Sequence, residues 1–403
     1  MLRTTSLYAL SRELERRLPS LQGRLRRVLA LWVKGAVLAH NGCQDSTAVA
    51  LEMHGHYETV RRELREWTYD DADRIHSWGP GTEVDAAACF PELLRWVLDL
   101  WTPGGGDSAT ETSLVLALDP THQRDEWVAL AVSVVYREQA IPVAWHVVRA
   151  DASESWMAHY RRLLGLLAPA VPAGMPVHVL CDRGLDSRDL WARIRELGWH
   201  PVLRYSPHVT FRPTGGDRVP VRSLGGGPGT FWVGAGEAFG EDPLPGTLIV
   251  LHAQECEEPW VLLTDTPPAH TGASLYACRH WIEQGFRGLK RGGWQWGRTR
   301  RTDPVRVARH LLVLAVATLL AVAYGTRREQ ARARGLPPGR LRRPPTRAPS
   351  KPRAARRFSV LRQGAACLRR LLYRNRLWTR VWLTPTPGPD RTAGLRCLSP
   401  PAT

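Results

Sequence analysis

Three carboxylates and one short run of mixed charge are where this chain could do chemistry. Asp119 follows the apolar run Leu114-Val115-Leu116-Ala117-Leu118, and Asp182 follows Val177-His178-Val179-Leu180-Cys181. A carboxylate at the end of a sheet strand is held in place by the sheet while its oxygens stay accessible. An Asp there is equally an ordinary turn or cap residue; two of them in one strongly basic chain point toward a site for a hard cation. The third group lies between Tyr276 and Lys290. There Tyr276, Arg279, Glu283, Arg287 and Lys290 recur at steps of three or four and would share one helix face. A carboxylate holds a divalent metal through oxygen, and neighbouring cations grip phosphates, so the mixture suits phosphodiester chemistry. It also describes a salt-bridged, solvent-exposed helix face. Composition tilts the balance: lysine occurs only at Lys34, Lys290 and Lys351, so a lysine in step with Glu283 stands out against the arginine bias. Asp186 and Asp189, near Asp182, fall on the following helix and are poorer candidates.

The sequence around these residues predicts an α/β pattern. β-branched runs predict strands over Leu114–Leu118, Trp127–Tyr136, Ile141–Val148, Val177–Cys181 and Pro201–Tyr205, with helices over Ser155–Leu167 and Ser187–Leu197. Three strands in a meander followed by helix, strand, helix and strand make a mixed sheet. Residues 206–268 are rich in Gly and Pro, with strand-like pieces at Thr230–Val233, Thr247–His252 and Trp260–Leu263, and read as a β-rich insertion. Helical register returns at Ser274 and is expected to run to about Lys290, with a further helix over Val305–Tyr324. The expected catalytic domain is therefore 108–205 with 269–326.

Residues 1–100 read as an all-helical domain. Leu21, Leu25, Val28, Leu29, Trp32 and Ala36 make one apolar face. Ser46–Leu51, a turn at Gly55 and Tyr57–Trp67 carrying Arg61, Arg62 and Arg65 outline a helix-turn-helix, a pattern that simple helical packing also produces. A flexible break is expected at Thr102–Asp107. From Arg327 to Arg380 about 18 Lys and Arg residues face a lone Glu329, and the Pro-rich centre at Leu336–Lys351 is expected to be disordered. Residues 327–403 thus read as a basic, partly disordered tail in which Phe358–Leu383 could form a basic amphipathic helix. A solvated cationic tail accounts for the same charges.

The net charge of +17 favours a polyanionic partner, nucleic acid being the commonest. Seven scattered cysteines without a CxxC pair exclude a disulfide framework and a structural zinc site, and fit a reducing cytoplasm. The N-terminus lacks the apolar stretch of a signal peptide. The longest apolar run, Leu311–Tyr324, falls short of the roughly 20 residues that span a bilayer and is expected to be a core helix rather than a membrane span.

The spacing Tyr276-x2-Arg279-x3-Glu283-x6-Lys290 matches the Y-(2)-R-(3)-E-(6)-K signature, and the chain resembles DDE transposases of the insertion-sequence family 4 type. The resemblance covers roughly residues 110–325. It implies an RNase H-like core with the β-rich insertion between Asp182 and Glu283, and Asp119, Asp182 and Glu283 as its catalytic, metal-binding triad. It implies two Mg²⁺ ions, replaceable by Mn²⁺, and Tyr276, Arg279, Lys290 and Arg287 on DNA phosphates. It further implies double-stranded DNA as partner, cut-and-paste transfer of insertion-sequence ends often through a hairpin, a homodimer that synapses two ends, and a bacterial, nucleoid-associated location in the cytoplasm. In relatives an aromatic of the insertion stacks on a flipped base; Trp232 and Trp260 are the candidates, and core packing explains either equally. Two other functions compete: a non-catalytic DNA-binding protein derived from a transposase, and a structure-specific nuclease on the same core.

Overall fold

The computed structural model describes residues 5–101, 113–153, 155–254, 257–271, 273–341, 343–344, 358–377 and 380–384. It opens with helices α1 (Thr5–Arg17), α2 (Gly23–Ala39), α3 (Gln44–Ala50), α4 (Tyr57–Glu66) and α5 (Phe90–Leu100). α2 is buried on nearly every face from Val28 to Leu38, because it packs against α1, α3 and α4 on one side and the long C-terminal helices on the other. α3, Gly55 and α4 form the expected short-helix, turn, arginine-bearing-helix outline. Of its arginines, Arg61 pairs with Asp45 across the two helices at 2.7 Å, while Arg62 is exposed. The break expected at Thr102–Asp107 lies outside the described residues.

The centre of the molecule is a mixed ten-stranded sheet. Strands β1 (Leu114–Gln123), β2 (Trp127–Tyr136) and β3 (Gln139–Arg149) form the antiparallel meander. Helix α6 (Trp156–Leu167) leads to β4 (Val177–Cys181), and α7 (Arg188–Glu196) to β5 (His200–Tyr205). β4 runs parallel to β1, and β5 parallel to β4. β1, β2 and β4 are near-continuous apolar runs and are buried along most of their length, the signature of strands covered on both faces.

Residues 206–268 do not fold as a separate sheet. They supply β6 (Thr210–Pro213), β7 (Val219–Pro220), β8 (Phe231–Ala238), β9 (Leu244–Leu251) and β10 (Trp260–Thr264). β10 hydrogen-bonds antiparallel to β5, so the order across the sheet is β3-β2-β1-β4-β5-β10-β9-β8-β6-β7. A helical N-terminal region followed by this mixed sheet and its helices is the architecture expected of an RNase H-like core.

Helices α8 (Ser274–Ala277), α9 (His280–Arg287), α10 (Pro304–Arg332) and α11 (Val360–Tyr373) complete the chain. α10 begins on a sharp signal: Asp303 accepts a side-chain bond from the Arg306 N–H, and Pro304 occupies the first turn. By length and composition α10 could cross a membrane, yet its most apolar window is 94% buried within the fold, where it serves as a core helix. Side chains of the sheet tie it to α10 and to the turn before it. The indole of Trp127 donates to the Arg301 carbonyl at 3.0 Å, that of Trp145 to the Ala308 carbonyl at 2.9 Å, and Tyr136 Oη meets Thr326 Oγ1 at 2.9 Å. His310 stacks on Trp32 of α2, with 4.9 Å between ring centroids. One apolar core therefore runs from Leu10 through the sheet to Leu383.

The C-terminal residues depart from the solvated tail. The helix expected over Phe358–Leu383 ends at Tyr373, and α11 is docked along α10 with Val360, Leu361, Gly364, Ala365, Leu368 and Leu372 buried. Beyond it, the Leu383 N–H donates to the Leu100 carbonyl at 2.7 Å and the Trp382 indole to Gln330 at 2.6 Å. Of the stretch expected to be disordered, residues 336–341 and 343–344 are described, and the remainder lies outside the described residues.

Candidate active site

Strand register brings the two aspartates together. Leu118 of β1 is the partner of Cys181 of β4, so Asp119 and Asp182 are the next residues on adjacent parallel strands, where neighbouring strands lie about 4.8 Å apart. Asp119 does not end its strand, as the apolar run had suggested. β1 continues to Gln123 because β2 goes on pairing with it, Asp119 opposite Ala131, after β4 has stopped. The sheet splits there, and the split exposes the carboxylate to the space beyond the end of β4. β5 adds a third residue by the same register: Cys181 pairs with Leu203, which sets Arg204 beside Asp182 with Nη1 3.4 Å from Oδ1.

Glu283 is carried in from the other side by α9. The single helix expected from Ser274 to Lys290 is broken into three pieces. Around Cys278–Ile282 the backbone bonds tighten to three-residue spacing, as in Arg279 N–H to Tyr276 O and Ile282 N–H to Arg279 O. Beyond Arg287 a π-turn spans Gly288–Gly292, a glycine-rich segment with little side-chain bulk to hold α geometry. α9 approaches the sheet closely because Gly285 has no Cβ; one placed there would sit 2.8 Å from Ala140 Cβ on β3.

The resulting site is a knot of charge. The Arg279 guanidinium lies between all three carboxylates, with Nη2 2.7 Å from Asp119 and 3.3 Å from Asp182, and Nη1 3.0 Å from Glu283. Tyr276, itself buried, donates its hydroxyl to Asp182 at 3.3 Å, and His280 lies 3.3 Å from Glu283. Burial pushes the Asp119 carboxyl up to about 6 in spite of Arg279. Asp182 is also partly buried, but Arg279, the Arg183 N–H and Arg204 together hold its carboxyl below the usual range. Burial works against the charge on Arg279 too, and the carboxylates more than compensate, so it holds its proton more tightly than usual.

Of the sequence candidates, Asp119, Asp182, Glu283, Tyr276 and Arg279 thus meet at one point. Lys290 is set to one side by the π-turn, where its ammonium is bonded to the His122 carbonyl on β1; burial and Arg291 depress its pKa. Arg287, one turn beyond Glu283 on α9, is exposed to solvent and makes no ion pair with the carboxylates. Asp186 is exposed and forms no hydrogen bond or ion pair with this knot among the described residues, although the charge of Asp182 helps to raise its pKa after burial. Trp260 lies edge-on to Tyr276, ring centroids 5.2 Å apart, whereas Trp232 packs on Phe211 at 5.8 Å. Sequence reasoning missed Arg204 and His280; for Arg204 the signal was its position one residue past the β5 partner of Cys181.

The model of the transposase DDE domain family matches residues 114–320, just over half of the chain. The chain belongs to the transposase DDE domain family. No curated protein matches it. The matched segment of this DDE transposase begins at β1 and ends within α10, so it contains all three carboxylates, Arg279 and the strands that align them.

Members of the family use divalent metal, and the donor set fits one: three carboxylates offering hard oxygen ligands, already converged on a single cationic group. While the guanidinium fills the space between them, no three acidic, histidine or cysteine side chains among the described residues stand close enough to hold an ion. Arg279 carries the charge that a metal would bring, and must move aside for one to bind.

Proposed function

We propose that this protein is a transposase of the insertion-sequence family 4 type, which cuts the ends of an insertion sequence and joins them to a new site. The observation that carries this reading is the meeting of Asp119, Asp182 and Glu283 on one guanidinium, within the Tyr276-Arg279-Glu283-Lys290 spacing. The three carboxylates would hold the metal. Two Mg²⁺ ions, or Mn²⁺ in their place, would supply an activated water or 3′-OH and stabilise the leaving oxygen.

The chain's own residues then have distinct tasks. Tyr276 orients Asp182 through its hydroxyl. Arg279, once released from the carboxylates, is within reach of the phosphate beside the scissile bond, where a guanidinium binds in bidentate fashion. Lys290 and Arg287 contact flanking phosphates. Trp260, against Tyr276 at the rim of the site, is better placed than Trp232 to receive an unstacked base. The helical residues 1–100 would bind the ends, and a homodimer would bring two ends together.

The deciding experiment supplies the gene in trans to a marker flanked by the DNA ends found beside it. Wild type should excise the marker and Glu283→Gln should not. Excision by both would remove Glu283 from the triad, cutting without joining would identify a nuclease, and end binding without cutting by either would identify a non-catalytic DNA-binding protein.

Arg279 makes a second test that needs no DNA. If its guanidinium competes with metal, Arg279→Ala should bind Mn²⁺ about tenfold or more tightly than wild type, since a neighbouring unit charge at an effective dielectric of about 20 is worth several kcal/mol at contact. Electron paramagnetic resonance of free Mn²⁺ reads this directly. Equal affinities would mean that Arg279 does not occupy the metal position.

A further inference from the structure

A groove of about 880 Å³ leads away from Glu283 between α9, the π-turn and the start of α11, with His40 from the end of α2 at its edge. Arg287, Lys290, Arg291 and Arg362 line it, and Glu283 is the only acidic residue of its lining among the described residues. Arg369 lies two turns beyond Arg362 on the same face of α11. It is close enough to His40 that, after burial, the charges of Arg369 and Arg362 lower that imidazole's pKa.

Several arginines elsewhere on this protein are paired with carboxylates, Arg27 with Glu63, Arg61 with Asp45 and Arg306 with Asp73. Arg287, Arg291, Arg362 and Arg369 have no carboxylate partner among the described residues. Exposed Phe358 at the groove's rim carries the Arg362 guanidinium 5.0 Å over its ring, which holds that side chain in place without cancelling its charge. The helix that presents Arg362 and Arg369 is itself anchored. Leu361 abuts Gly288 in the π-turn and Gly293 just after it, and a Cβ on Gly288 would come within 2.7 Å of the leucine. A row of unneutralised cations on a fixed scaffold, opening from a carboxylate site, is complementary to a polyphosphate backbone.

We propose that this groove holds the backbone of the duplex DNA segment running away from the scissile phosphate, with Arg362 and Arg369 of α11 as its outer phosphate contacts. The proposal rests on reading Glu283 as part of the active site. Arg362 and Arg369 are about 10 Å apart along the helix, the axial rise of roughly three nucleotides of one strand. The C-terminal helix is therefore part of the DNA-binding surface and works with α9, although 72 residues separate them.

The test is fluorescence anisotropy of the full chain with a labelled short duplex, titrated between about 50 and 200 mM salt. The double variant Arg362→Ala/Arg369→Ala should bind at least tenfold more weakly, and its plot of log affinity against log salt should be shallower by about 2, one contact for each lost phosphate. Duplexes with and without the element's end sequence should lose affinity equally, as phosphate contacts carry no sequence information. Arg362→Lys should keep the slope, which separates lost charge from lost structure, and Glu283→Gln should keep it while losing cleavage. A double variant with the wild-type slope overturns the groove proposal and leaves the transposase reading standing. A wild-type protein that binds no duplex overturns both.

Discussion

Asp119→Asn should abolish DNA cleavage and, in the same metal-free protein, raise thermal stability at pH 7–8. Both effects have one origin. The Asp119 side chain is only 15% exposed, and burial lifts its carboxyl to about 6 against the pull of Arg279. A carboxyl whose folded pKa lies above its unfolded value contributes stability that is fully present below the unfolded value, near pH 4, and is lost as pH rises through the folded one. Above about pH 6 the wild type is therefore charged at a poorly solvated position, whereas Asn at the same place is neutral at every pH. A rise of roughly two pH units converts to about 3 kcal/mol, and relaxation around the site brings the expected gain to the order of 2 kcal/mol. At roughly 1 °C per kcal/mol for a chain of this size, because unfolding entropy is about 2 cal/mol/K per residue, melting temperatures should diverge by about 2–3 °C at pH 8 and converge near pH 4. Scanning calorimetry at the two pH values, with chelator present, measures this. Equal stabilities across the range would mean that Asp119 ionises without penalty, and a variant that still cuts would remove it from the triad. Stability gained where activity is lost is what a functional carboxylate held against its solvation preference should show.

That result bears on how much of this site could be read from the chain. Asp119 and Asp182 were legible because each follows a largely apolar strand-like run, and Glu283 because four residue types recur at set spacings around it. Their convergence was not, since it depends on the register Leu118–Cys181, a contact across some sixty residues that no local pattern encodes. The meander, α6, β4, α7 and β5 were legible to within a few residues from period and β-branching. The break in the helix between Ser274 and Lys290 was hidden, because Tyr276, Arg279 and Glu283 still point to one place after the turn tightens. What the π-turn altered was the direction of Lys290, which periodicity alone carries forward on a uniform helix. The insertion's strands were visible as strands, but their pairing with β5 was not. The largest difference lies after α10. There the density of arginine spoke for a solvated tail, and the glycines that dock α11 sit in two segments nearly forty residues apart.

Those glycines give the second large effect. Gly364 of α11 faces α10 at its closest approach, where a Cβ would overlap the Ala321 carbonyl oxygen and come within 2.6 Å of the Gly325 nitrogen. Gly325 in turn faces Val360, whose carbonyl oxygen a Cβ would overlap. The obstruction on both sides is backbone, so no side-chain rotation relieves it, and the helices must separate along their length. Separation strips contacts from Leu361, Leu368 and Leu372, all buried in this seam. Gly364→Ala should therefore destabilise by about 3 kcal/mol or more, at or above the usual range for overpacking. Gly23, at the start of α2 with open space around it, is the matched control: there alanine should be neutral or slightly stabilising, because it favours helix. Urea melts of both variants give the comparison. If Gly364→Ala melts with the wild type, α11 is not docked along α10. If it is destabilised as expected, the same protein, studied at a temperature where its core stays folded, should also lose the Arg362 and Arg369 contribution to the salt dependence of DNA binding. Release of α11 removes the scaffold that aims both guanidiniums at the groove.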